Sequence, residues 1–320
     1  MSGSRATGQG TPALPGTAEG DALARTQRQV APDTPAGASD AVLVEAGASG
    51  TWRGAEPPVL PPLTRLQRAR GHLRMGLFAA MTAICLALFV GGRYLRHWLG
   101  HWIGFHFVVA RLWARAGLWL AGLNREVEGR PVPGGALVAN HCSWIDILTL
   151  RAVCLMYFVS KAEVADWPGV GFVTRVTGTI FIERRRSQAK AQEAILRSRI
   201  AADQLLIFFP EGTSTDGQRV LAFKSSLFSA FYEDGQGADL MIQPVSLRYR
   251  VDPRSGLPEN FYAWWGDMPF YSHILDVFAR SSGGTARLIF HPPLTPAGAG
   301  DRKALALAAG EAVAAGHARL

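Results

Sequence analysis

Three regimes of hydrophobic and polar residues follow one another along this chain. Residues 1–62 carry no apolar period. Met75 to Gly92, "MGLFAAMTAICLALFVGG", is apolar or uncharged at every position, with arginines on both sides. In "RHWLGHWIGFHFVVARLWARAGLWLAGL", Trp98, Trp102, Phe105, Val109, Leu112, Ala116 and Trp119 recur at helical spacing. His97, His101, Arg111 and Arg115 fall on another face, so this segment reads as an amphipathic helix.

From Asn124 onward, short apolar runs alternate with helical patterns. "GALVAN", "MYFVS", "GTIFIE", "LLIFFP", "LMIQPVSLRY" and "TARLIFHPPL" read as strands. "SWIDILTLRAV", the stretch from Ser187 to Asp203, and "SSLFSAFYE" read as helices. Such alternation predicts an α/β domain over residues 124–320, with a mostly parallel sheet covered by helices on both faces. An Ala-rich helix capped by Asp301 is expected to close the chain.

Composition sharpens the amino-terminal reading. Gly, Ala, Pro, Thr and Ser dominate residues 1–62, and Trp52 is the sole aromatic there, so too little apolar surface exists to offset the entropy of ordering. A disordered tail over 1–62 is expected, without the layout of a secretory signal. Residues 63–123 then form membrane-associated helices. Eighteen uncharged residues at 75–92 sit at the lower limit of a bilayer span, and a re-entrant or buried core helix fits the same pattern. Arg65, Arg68, Arg70 and Arg74 precede the run and Arg93 and Arg96 follow it, which sets the amino-terminus on the cytoplasmic side. The segment at 97–123, rich in Trp and Arg, suits the membrane interface, or packing on the domain that follows.

The 320 residues hold 33 Lys and Arg against 25 Asp and Glu, a net charge of +8. That excess suits an anionic membrane surface or an acidic carrier. No basic run interleaved with aromatics points to nucleic acid. The three cysteines, Cys85, Cys142 and Cys154, form no CxxC pair, so neither a disulfide framework nor a zinc site is indicated.

Candidate chemistry gathers where strands end: "NHCSWID" after "GALVA", "ERRR" after "GTIFI", and "PEGTSTDG" after "LLIFF". In open α/β sheets that edge is where sites form. Ser143 and Asp146 match an S-x-x-D capping box, which explains them structurally but leaves Asn140 and His141 without a role. A neutral imidazole at a helix start suits a general base, and Asp146 one turn on would hold its tautomer. Cys142 is a rival nucleophile; Ser143 lies too close on the helix start to act as one.

Asn140-His141-x-x-x-x-Asp146, Gly178-x-x-Phe181-Ile182-Glu183-Arg184 and Phe209-Pro210-Glu211-Gly212-Thr213 together resemble the ordered motifs of the glycerolipid acyltransferases. The likeness is nearest to the 1-acyl-sn-glycerol-3-phosphate acyltransferases and spans about Val127 to Leu294, with Gln243-Pro244-Val245 as a weaker fourth element. It implies direct acyl transfer from acyl carrier protein or acyl-CoA to the free hydroxyl of a lysolipid. His141 would be the base and Asp146 its orienting partner. Arg184, Glu211, Gly212 and Thr213, with Lys161 and Lys224, would line the acceptor or phosphate site. No metal or resident cofactor is implied, and the site would face the cytoplasm at a bacterial inner membrane. Many relatives have an arginine after the threonine of the third motif, where this chain has Ser214. That departure, with "WWGDM" at 264–268, points to an alternative acceptor, lyso-ornithine lipid. A thioesterase or lipid hydrolase would use the same His-Asp pair on water, but no G-x-S-x-G elbow is present.

Overall fold

The computed structural model describes residues 51–99, 105–167, 169–182, 189–232 and 240–320. The sheet has seven described strands, in the spatial order β1-β7-β6-β2-β5-β3-β4. They are β1 (Leu123–Glu128), β2 (Ala136–Ala139), β3 (Tyr157–Lys161), β4 (Ile180–Ile182), β5 (Leu206–Phe208), β6 (Ile242–Arg250) and β7 (Gly284–Phe290). Every neighbouring pair is parallel except β6 with β7.

Burial on both faces explains why β2 is four apolar residues in a row. Successive side chains alternate across a sheet. Leu137 and Ala139 therefore join one core, and Ala136 and Val138 the other. The first core holds Leu118, Ile145, Leu148 and Phe278; the second holds Leu196, Phe228, Leu305 and Val313. Around them lie α1 (Arg65–Leu99), α2 (Phe105–Leu120), α3 (Ile145–Arg151), α4 (Val170–Val176), α5 (Ala189–Ala201), α6 (Phe270–Arg280), a short α7 (Pro296–Ala299) and α8 (Arg302–Arg319). The Asp301 carboxylate accepts from the Lys303 and Ala304 amides and caps α8 as expected.

Several expectations need correction. The run at 75–92 lies inside one continuous helix from 65 to 99, because its arginine-rich first turns are helical as well. Residues 65–92 are long and apolar enough to cross a membrane, and Leu66, Leu73, Leu77, Ile84 and Leu88 are exposed. The opposite side is docked: the Arg70 and Arg74 guanidiniums donate to the Ser281 carbonyl at the end of α6, and Trp113 Nε1 donates to Thr82 Oγ1 at 2.9 Å. On α2 the apolar residues do not share one face. Val109, Ala114 and Leu118 pack inward, whereas Val108, Leu112 and Trp119 are exposed. "SSLFSAFYE" becomes a 3₁₀ helix, Ser225–Phe231.

The tail also ends earlier than composition suggests. Trp52 is buried against Trp265, and its amide donates to Thr213 Oγ1 at 3.1 Å. Arg53 forms a two-bond pair with Asp267, and Trp265 Nε1 donates to the Ala55 carbonyl. One buried indole, two backbone anchors and one Arg–Asp pair order a stretch that is otherwise proline-rich.

Candidate active site

The site is built where β2 ends in the middle of the sheet. β2 is flanked by β5 and β6, and its chain leaves toward β3 on one side while the later strands β6 and β7 lie on the other. This is the crevice at the carboxyl end of the strands. Asn140 extends the ladder beyond the strand itself: its Nδ2 donates to the Leu247 carbonyl and its Oδ1 accepts from the Leu247 amide, both at 2.8 Å. That double bond pins β2 to β6 one residue before His141.

His141 Nδ1 lies 2.6 Å from Asp146 Oδ2. An ionised carboxylate only accepts, so Nδ1 carries the proton and Nε2 presents its lone pair. Nε2 has no hydrogen-bond partner among the described residues. The ring is stacked on Phe209, with centroids 4.2 Å apart, and keeps 22% of its side-chain surface exposed while Asp146 has none. Besides the imidazole, Asp146 Oδ2 accepts from the Cys142 and Ser143 amides, at 2.9 and 3.0 Å. Its Oδ1 accepts from the Tyr249 hydroxyl at 2.8 Å. Tyr249, buried on β6, was not visible as a site residue in the sequence, because a tyrosine among strand residues carries no motif.

The expected capping box forms only in half. Asp146 reaches back to the Ser143 amide, but Ser143 Oγ accepts from Ile145, and Trp144 occupies the cap position without a side-chain bond. Cys142 is fully buried, and burial first and Asp146 second push its thiol well above the ordinary range, so it is no nucleophile.

Glu211 and Thr213 are corrected too. The Glu211 carboxylate is fully buried, with Oε2 accepting from the His141 amide at 3.0 Å and Oε1 from the Leu221 amide at 2.9 Å. It braces the His141 backbone from within the core. Burial raises its pKa well above the carboxylate range, and the two amide donors oppose that shift. Thr213 Oγ1 is taken by the Trp52 amide. The Thr215 amide holds the His141 carbonyl at 3.0 Å, and the Trp264 amide holds that of Cys142 at 2.7 Å. Every backbone polar group of His141 and Cys142 is thus fixed from outside the loop, which preorganises the imidazole.

Gly212 and Lys224 do come together. Gly212 has φ +71°, and a Cβ there would sit 2.8 Å from the Lys224 ammonium, so a left-handed glycine lets the cation lie on the loop. Lys161 ends β3, in register with Ile182. Arg184 lies outside the described residues; β4, the strand leading to it, ends at Ile182. Next to the catalytic loop, Trp144, Trp167, Trp264 and Phe270 form an aromatic cluster with centroids 5.2 to 6.4 Å apart.

A family model described as Acyltransferase matches residues 125–248. A lyso-ornithine lipid O-acyltransferase of Rhodobacter capsulatus is 44% identical over 270 residues, covering 83% of this chain and 96% of that one. A 1-acyl-sn-glycerol-3-phosphate acyltransferase of Neisseria gonorrhoeae is 36% identical over 137 residues, covering 41% of this chain and 52% of its own. The crystal structure of the 1-acyl-sn-glycerophosphate acyltransferase PlsC from Thermotoga maritima shares the fold. Its TM-score is 0.55 at 22% identity, and the match covers 79% of this chain and 97% of that one. With the histidine and aspartate of its first motif held 2.6 Å apart at the end of β2, and a relative this similar over nearly its whole length, the chain belongs to the glycerolipid acyltransferase family.

Proposed function

We propose that this lysolipid acyltransferase uses His141 as a general base to acylate the free hydroxyl of lyso-ornithine lipid. Nε2 removes the hydroxyl proton, and the oxygen attacks the thioester carbonyl of acyl carrier protein or acyl-CoA. The tetrahedral oxyanion collapses as the C–O bond is kept and the C–S bond breaks, and the imidazolium returns its proton to the leaving thiolate. Asp146 fixes the tautomer and stabilises the imidazolium. The observation that carries this reading is the 2.6 Å contact between His141 Nδ1 and Asp146, which leaves Nε2 on a ring that is 22% exposed.

Ser214 and the 44% identical relative both favour the amino-acid headgroup. Ser214 is a small, nearly buried side chain where a guanidinium would serve a phosphomonoester. A second reading, 1-acyl-sn-glycerol-3-phosphate as acceptor, is favoured by the Lys224 ammonium over Gly212, with Lys161 and Arg184 as further phosphate ligands. The net charge of +8 and the exposed apolar side of α1 support work at an anionic bilayer, on the cytoplasmic face.

Purified enzyme offered lyso-ornithine lipid and lysophosphatidic acid side by side, each with both donors, tests the assignment. Lyso-ornithine lipid should give the higher kcat/KM, and His141→Ala should abolish transfer while leaving the fold intact. Turnover near that of the wild type in His141→Ala would sink the mechanism. Arg184→Ala should raise the KM for a phosphate-bearing acceptor far more than the KM for the donor.

A further inference from the structure

Three guanidiniums converge on one backbone oxygen away from the acyl-transfer centre. Arg111 and Arg115 on α2 donate Nε–H to the Ala152 carbonyl at 3.3 and 3.2 Å, and Arg125 on β1 donates Nη1–H to it at 3.0 Å. Arg151 lies next to them, buried over the Phe158 ring at 5.3 Å. Ala152 caps the end of α3, where an unpaired carbonyl and the helix dipole welcome one cation. They do not account for three. A carbonyl oxygen has two lone pairs, and each guanidinium has five donors in a planar fork. None of these arginines has a carboxylate within ion-pair distance among the described residues.

Burial first, and then the neighbouring charges of Arg115 and Arg111, lower the pKa of Arg125, while burial alone lowers that of Arg151 to about 10. The surroundings name the class of anion. Val108, Leu112, Arg115 and Trp119 form one exposed stripe at helical spacing, so the guanidinium rises from the same face as three exposed apolar side chains. Tryptophan and arginine together on an apolar stripe sit at headgroup depth.

We propose that Arg111, Arg115 and Arg125 bind the phosphate of an anionic membrane phospholipid, at a site distinct from the acyl-transfer centre. Three forks match three non-bridging oxygens, so a phosphomonoester lipid is held better than a phosphodiester. The site lies at the opposite end of α3 from Asp146, about 9 Å along the helix.

Thermal unfolding of the full chain in neutral-detergent micelles tests this. The micelles are doped with phosphatidic acid, with phosphatidylglycerol at matched charge, or with phosphatidylcholine; a fourth sample receives inorganic phosphate at the same concentration. Phosphatidic acid should raise Tm by several degrees and phosphatidylglycerol by less, while the other two leave it unchanged. The combined variant Arg111→Gln, Arg115→Gln, Arg125→Gln should lose the shift. Arg254→Gln, Arg302→Gln, Lys303→Gln, which removes the same charge from exposed positions elsewhere, should keep it. Arg115→Gln alone, at an exposed position of α2, should move the titration midpoint about fivefold or more. His141→Ala should respond as the wild type does, which separates this site from acyl transfer. A full shift in the combined variant, an equal loss in the charge control, or an unmoved midpoint in Arg115→Gln would overturn the site. A shift with inorganic phosphate equal to that with phosphatidic acid would overturn its assignment to lipid.

Discussion

Tyr249→Phe separates the orientation of the catalytic aspartate from its charge. The hydroxyl donates to Asp146 Oδ1 at 2.8 Å and meets Thr149 Oγ1 at 3.1 Å, in surroundings where the tyrosine is fully packed. Phenylalanine fills nearly the same space, so the cavity contribution is small. What disappears is the contact to Thr149 and one hydrogen bond to a buried carboxylate, the latter a loss of about 1.5–3 kcal/mol of stability. Oδ1 then keeps only the Cys142 thiol at 3.7 Å, while Oδ2 keeps the imidazole and two amides. The carboxylate therefore stays pinned on the side that faces His141. We expect kcat to fall by less than about tenfold, since about 1.4 kcal/mol or less of the lost energy reaches the transition state, and both KM values to hold. Asp146→Asn removes the charge that supports the imidazolium, and its kcat should fall about a thousandfold or more. Initial rates in mixed micelles, with each substrate varied in turn, and melting curves of both proteins supply the comparison. The reasoning fails if Tyr249→Phe loses as much kcat as Asp146→Asn, or if its stability is unchanged.

Other consequences follow from the same geometry. Burial lowers both His273 and His317 from 6.5 to about 4, so below pH 6.5 the unfolded chain takes up protons that the native state refuses. Stability should drop as pH falls from about 6.5 to 4, by about 3 kcal/mol per histidine, and His317→Gln should flatten about half of that slope in melts across this range. Asn140→Ala leaves the Leu247 amide and carbonyl unpaired in the core and should cost about 2–5 kcal/mol in denaturant unfolding, with activity lost in proportion to the displaced His141. Glu211→Gln can satisfy only one of the two amides it now serves, so kcat should fall with the acceptor KM unchanged; a rise confined to that KM would return Glu211 to the acceptor pocket. Trp52→Ala should lower stability by about 3 kcal/mol or more and reduce kcat, and Trp52→Phe should restore much of both.

The strands buried on both faces were legible because their apolar runs have one explanation. β1 was not: "LNREVE" exposes all but its first residue and has no apolar alternation. It is held at the edge by the β7 ladder and by Arg287 and Arg319, which pair with Glu126 and Glu128. α6 was missed as well, although Val277 and Phe278 are buried while Tyr271 is exposed, a clear amphipathic pattern hidden by the Pro269 that starts it. The ordered strap at 51–62 was illegible for another reason. Its composition is that of a disordered tail, and one tryptophan with a fitted pocket outweighs that composition.

The His141–Asp146 pair was read from spacing alone, since five residues across a strand-to-helix turn bring the two side chains together. Spacing said nothing about what holds the turn still. His141 takes its backbone bonds from Glu211 and Thr215, Cys142 takes one from Trp264, and Trp52 ties the 213 loop to Trp265, all from sequence distances of seventy residues or more. The resemblance alone sets Glu211 at the acceptor site, since from the sequence only the backbone N–H groups of the glycine turn suit an anion. The same turn, folded, points the carboxylate inward at the base's own amide. The third motif therefore divides by direction: Glu211 and Thr215 hold the His141 backbone, Thr213 holds the strap, and the Lys224 ammonium lies against Gly212.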